Sequence, residues 1–219
     1  MRKADIPYAT RFVWAILAAA TIIAVWTGHW TNVFVIVTAF FLTLLPTFFS
    51  DRFHIRLPMP FLAAISLFVF ATLFLGEVFD FYYHFWWWDI LLHGISAIGF
   101  GIIGFLFIFF LFEGDRYAAP PWALALIAFT FAVAIGTLWE ILEFGMDQIF
   151  GLNMQKSGLN DTMSDLIVDS LGAFTGAISG FFWLKGRQVG FSGMIDEFIA
   201  LNRDWFSKLR ERAKIGKKD

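Results

Sequence analysis

Six apolar stretches divide this chain, at about residues 12–28, 30–50, 60–78, 89–112, 122–144 and 165–184. Each is long enough to cross a hydrocarbon core of about 30 Å, which takes roughly 20 helical residues. Turn-forming and polar residues separate them: Gly28, the stretch from Arg52 to Pro60, the aromatic segment from Asp80 to Trp88, Ala118 to Pro121, and Gly151 to Ser164. Pro46 falls inside the second stretch and predicts a kink or an early end there. Beyond the sixth, Met194, Ile195, Phe198, Leu201, Trp205, Phe206 and Leu209 recur at helical spacing, with Arg203, Lys208, Arg210 and Arg212 on or near the other face. That pattern suits a helix along a membrane surface, its basic face toward anionic headgroups. The expected fold is therefore an all-α polytopic membrane helical bundle, with six transmembrane helices plus a C-terminal amphipathic interfacial helix. Residues 1–190 form the membrane domain and residues 191–219 the basic helix and tail.

Composition agrees with the pattern. With 59% hydrophobic residues, 30 Phe and 10 Trp, the chain carries more apolar surface than a soluble fold of 219 residues buries. Its mean hydropathy is +0.70. The absence of cysteine excludes disulfides, thiolate metal sites and thiol catalysis. Arg2 and Lys3 before an apolar run containing Ala18 to Ala20 give the N-terminus some features of a signal peptide. The run continues through Trp26, so an uncleaved first helix is expected.

The basic residues orient the bundle. If the N-terminus is cytoplasmic, the inside segments hold Arg2, Lys3, Arg11, Arg52, Arg56, Arg116, Lys185, Arg187 and every basic residue beyond them, and the outside segments hold only Lys156. This asymmetry predicts both termini in the cytoplasm of a multi-pass protein of the bacterial inner membrane. Membrane lipids are the expected surroundings, with other membrane subunits as candidate partners. Nucleic acid is not an expected partner, because the basic residues lie at the membrane surface without a recognition motif. Gly99, Gly101 and Gly104 match a dinucleotide fingerprint only as a string inside a span, where packing is their role.

The opposite face collects acids: Glu77, Asp80, Asp89, Glu140, Glu143, Asp147, Asp161, Asp165 and Asp169, with His84 and His93 among them. Ionisable side chains at apolar helix ends are costly and mark a site by default. Asp89 and His93 are i and i+4 on one helix face; Glu140, Glu143 and Asp147 share another at i, i+3 and i+7. Asp161, Asp165 and Asp169 repeat every four residues, and the same side continues as Gly172, Gly176 and Gly180. Small residues at that spacing let a neighbouring backbone approach, so the stripe and its acids face protein. The series Gly94, Ala97, Gly101 and Gly104 on the fourth span offers the partner surface. Carboxylates so gathered need cations or shared protons. No Lys or Arg lies in the outer half of any span, which argues against internal salt bridges and against a phosphate grip.

A divalent metal held by Asp89, His93, Glu140, Glu143, Asp165 and Asp169 is the expected cofactor, with Glu77, Asp161 and His84 as outer neighbours. Oxygen ligands with an imidazole favour Mn, Fe or Zn over Mg or Ca. An alternative reading makes Asp161 and Asp165 caps of the sixth helix, whose N-terminus favours acids.

The stretches Leu75-Gly-Glu-Val-Phe-Asp-Phe-Tyr, Trp88-Asp-Ile-Leu-Leu-His-Gly, Trp139-Glu-Ile-Leu-Glu-Phe and Asp161-Thr-Met-Ser-Asp-Leu-Ile-Val-Asp-Ser-Leu-Gly resemble the YjdF-type family of bacterial membrane proteins. A looser similarity runs to VanZ-like membrane proteins, which also combine an Asp-x-x-x-His element, a later Glu and a final helix of Asp and Gly. The first resemblance implies a multi-span inner-membrane protein, and the second a role at the cell envelope. Three functions are compatible with the residues: a metal-dependent enzyme acting on a lipid or lipid-linked substrate, an accessory subunit or lipid- or pigment-binding protein, and a proton or divalent-cation carrier.

Overall fold

The computed structural model describes residues 6–112 and 119–205. Among these residues the chain is helical, without strands: α1 (Tyr8–Trp26), α2 (Trp30–Phe53), α3 (Met59–Val69), a π-helical continuation of α3 (Phe70–Val78), α4 (Phe81–His84), α5 (Trp88–Leu111), α6 (Pro121–Phe150), α7 (Leu159–Leu184) and α8 (Ser192–Leu201). Six helices are long and apolar enough to cross a membrane, counting α3 with its π-helical extension as one. They match the six apolar stretches. Pro46 lies inside α2, which continues past it to Phe53, so the early end expected there does not occur. Arg2, Lys3, Arg116, Phe206, Lys208, Leu209, Arg210 and Arg212 lie outside the described residues.

The chain falls into two compact units. The first comprises residues 6–88 and 200–202. Its apolar centre is formed by Val13, Leu17, Ala24, Ile36, Ala39 and Phe74. Two side-chain hydrogen bonds tie the helices in an apolar setting: the Thr10 and Ser66 hydroxyls at 2.9 Å, and Trp14 Nε1 donating to Thr43 Oγ1 at 2.7 Å. Gly76 in the π-helical segment lies flat against the Tyr82 ring, where a Cβ would collide. Asp80 adopts the left-handed conformation, φ 55°, and ends that segment before α4.

The second unit comprises the described residues of 89–199 together with 203–205 and is built on α5, α6 and α7. Glycines set its geometry. A Cβ on Gly172 would stand 2.6 Å from the Gly94 carbonyl oxygen, one on Gly176 2.5 Å from that of Ile98, and one on Gly101 2.9 Å from that of Ala173. The backbones of α5 and α7 therefore touch along the predicted small-residue stripes. Gly104 provides the matching approach to α6, against Phe131 and the Ala128 carbonyl. Toward the other end of the unit, Ile102, Phe105, Ile108, Phe109, Leu124 and Trp183 form an apolar core. Helix α8 contributes the fully buried Ile195 to this core, with Phe198, Ile199 and Trp205 packed around it. Asp196 fixes α8 in place by accepting from Trp183 Nε1 at 2.5 Å and from Gln188 Nε2 at 2.6 Å.

Glycine substitutions test this arrangement against a built-in control. Gly176→Ala must push two backbones apart and is expected to cost about 1–3 kcal/mol. Gly99→Ala, where a Cβ meets nothing within 4 Å, is expected to be neutral or slightly stabilising. Thermal unfolding of the two variants in detergent distinguishes them; equal stability would contradict the close approach.

Candidate metal centre

The polar end of the second unit is assembled from the first two turns of α5, the last three of α6 and the first three of α7. Asp89 and His93 sit one turn apart on α5, and α5 against α7 brings them to the Asp161–Asp165–Asp169 face. From α6 come Glu140 and Glu143. His93, Glu140, Glu143, Asp165 and Asp169 are all buried, and Asp165 retains only 2% of its exposure. Asp89 and Asp161 are half-buried.

His93 lies between carboxylates on both sides of its ring. Its Nδ1 is 3.3 Å from Asp169 Oδ1 and 3.4 Å from Asp169 Oδ2, and its Nε2 is 3.9 Å from both Asp89 Oδ1 and Glu140 Oε1. Nδ1 thus faces Asp169 and Nε2 faces Glu140 and Asp89; a proton held on Nδ1 by Asp169 would leave Nε2 as the ligating nitrogen. A carboxylate that holds one imidazole nitrogen and frees the other is the usual support of a metal-ligating histidine. Asp169 is itself held by packing. It lies against Gly136 on α6, where any Cβ would overlap its carboxylate.

Among the described residues, two groups of three have ligand atoms within 4.8 Å of one another: His93, Glu140 and Asp165, and Asp89, Asp161 and Asp165. Glu140 is 4% exposed; its carboxylate faces His93 and the Thr162 hydroxyl, and neither oxygen makes a close hydrogen bond. A buried carboxylate without a close donor is costly, and such a group takes up a proton or a cation. Glu143 stands outside both groups and accepts from Trp139 Nε1 at 2.9 Å.

The α6–α7 loop supplies what the sequence pattern did not. Gly151 closes α6 at φ 66° and Gly158 precedes α7 at φ 63°. Between them Asp147 accepts from the Met154 and Gln155 amides at 2.7 and 2.9 Å, and Asp161 accepts from the Lys156 amide at 3.2 Å. This pinned loop carries the Lys156 ammonium to 3.3 Å from Asp89 Oδ2. The expectation of no internal salt bridge is therefore corrected: the cation comes from the loop, which a search confined to the spans overlooks.

Asp147 serves the loop rather than the cluster. Glu77 and His84 belong to the first unit: Glu77 is exposed in the π-helical segment, and exposed His84 bonds through Nδ1 to the Asp80 carbonyl oxygen at 2.8 Å. Asp161 lies in the first turn of α7, whose N-cap residue, Gly158, makes no side-chain cap.

Comparison with known proteins agrees with the membrane architecture. An uncharacterized protein of Thermotoga maritima is 32% identical over 145 residues, which cover 63% of this chain and 74% of the relative. No solved structure matches the chain. The family described as predicted membrane protein DUF2238 matches residues 9–186, which include all six apolar helices apart from the first residue of α1 and every member of the His93 cluster. The chain belongs to this DUF2238 family of predicted membrane proteins.

Proposed function

We propose that this integral membrane protein binds a divalent cation, Mn, Fe or Zn in preference to Mg or Ca, through His93, Glu140 and Asp165. The observation that carries the reading is Glu140: a buried carboxylate without a close hydrogen bond, 3.9 Å from Nε2 of a histidine whose Nδ1 faces Asp169. An imidazole with two carboxylates is a donor set that borderline divalent ions accept and that disfavours the hard ions, which prefer oxygen alone. A cation bound there ties α5, α6 and α7 together and, where a ligand position stays open, acts as a Lewis acid. The charge asymmetry of the sequence supports an inner-membrane location with this site on the outward face and both termini in the cytoplasm.

The expected roles separate in titration. Glu140→Gln removes a ligand charge and should abolish high-affinity Mn(II) or Zn(II) binding measured by isothermal titration calorimetry in detergent. Asp169→Asn leaves the ligands in place but loosens the His93 ring, and should weaken binding by about 10–100-fold. Affinities equal to that of the unmodified chain in both variants would contradict the reading.

Orientation has its own test, simplified by the absence of native cysteine. A cysteine placed at exposed Ser157 should react with an impermeant maleimide in cells whose outer membrane alone is permeable. One at exposed Arg187 should react only after the inner membrane is opened. The reverse pattern would place the carboxylates on the cytoplasmic face.

A further inference from the structure

One hydroxyl at the polar end of the second unit is bonded unlike those around it. Elsewhere on α6 and α7 the hydroxyls of Thr130, Thr137, Ser170, Thr175 and Ser179 donate to the backbone carbonyl three or four residues earlier. Thr162 is engaged with side chains instead. Its Oγ1 accepts from Gln155 Nε2 at 2.6 Å, and the same hydroxyl faces the Glu140 carboxylate. Thr162 stands three residues before Asp165 and seven before Asp169, so it shares their face of α7. Glu140 on α6 therefore faces an imidazole from α5 and a hydroxyl from α7.

The chemistry of the groups sets the direction of this chain. A hydroxyl has one proton to donate and two lone pairs, an amide nitrogen only donates, and an ionised carboxylate only accepts. With the Gln155 amide on its oxygen, Thr162 has its proton left for Glu140. Gln155 is itself fixed, because Asp147 accepts from its backbone amide and from that of Met154, and the next residue, Lys156, pairs with Asp89. Building on the metal-binding reading above, we infer that Thr162 is a positioning residue for Glu140, turned by Gln155 so that its hydroxyl takes one carboxylate oxygen and leaves the other for the cation. Hydrogen bonds from outside the ligand set are what hold ligating carboxylates in one orientation. The α6–α7 loop thus tunes the affinity of the centre through Gln155 without supplying a ligand to it.

Isothermal titration calorimetry with Mn(II), on the full chain in detergent, tests this. Thr162→Val keeps the shape of the side chain and removes its hydroxyl, and should weaken binding by about 10–100-fold. Thr162→Ser restores the hydroxyl without the methyl and should recover most of that loss. Gln155→Leu lies in the loop outside α7 and reads the same chain should Thr162→Val fail to fold; it should weaken binding several-fold, because the hydroxyl is then free to turn to its own helix. A loss in Thr162→Val that Thr162→Ser does not recover would trace the effect to methyl packing and overturn the positioning role. Unchanged affinity in Thr162→Val or, where that variant does not fold, in Gln155→Leu would also overturn it, and with binding still lost in Glu140→Gln the metal centre itself would stand. No Mn(II) or Zn(II) bound by the unmodified, monodisperse protein would overturn both readings.

Discussion

The backbone contact between α5 and α7 is the constraint on which the polar end of this protein depends. Gly101, Gly172 and Gly176 remove the side chains that would hold these helices apart. Because Asp161, Asp165 and Asp169 precede the glycines at helical spacing, and Asp89 and His93 precede Gly94 and Gly101, the packing that seats the glycines also drives the acids together. The helices cannot take the favourable contact without the electrostatic cost. Two like charges about 4 Å apart repel by about 4 kcal/mol at an effective dielectric of about 20. A cation within the cluster turns that repulsion into attraction, and the fold gains a reason to keep the acids.

The surroundings of the cluster divide its acids by task. Asp169 has its back to Gly136 and its oxygens on His93, which fixes the ring rather than leaving the carboxylate available. Glu143 is engaged by the Trp139 indole and Asp147 by two loop amides. Asp89, Glu140, Asp161 and Asp165 remain with their oxygens gathered around His93 and Lys156. The same loop that Asp147 organises delivers the lysine, so a residue outside the cluster sets the charge within it.

Much of this was legible in the sequence because helix length and small-residue spacing are local properties. The six spans and the facing stripes of glycine follow from composition at fixed intervals. The helix ends did not. Helix α7 begins at Leu159 rather than 165, and α6 continues to Phe150 rather than 144, since hydropathy reports apolar content and a helix continues through polar residues. The Lys156–Asp89 pair depends on how the Gly151–Gly158 loop folds back, which no periodicity encodes. The collision that Gly136 avoids with Asp169 joins residues on two helices and is visible only in three dimensions. The π-helical segment Phe70–Val78 is likewise absent from the apolar pattern, which reads the same for either helix type.

Metal content tests the central claim most directly. The full chain is purified from membranes without chelators and its Mn, Fe and Zn are counted by inductively coupled plasma mass spectrometry. The account predicts at least one such ion per chain, lost when Glu140 is replaced by Gln. A well-folded protein that carries none of the three, and takes up none when they are supplied, would contradict it.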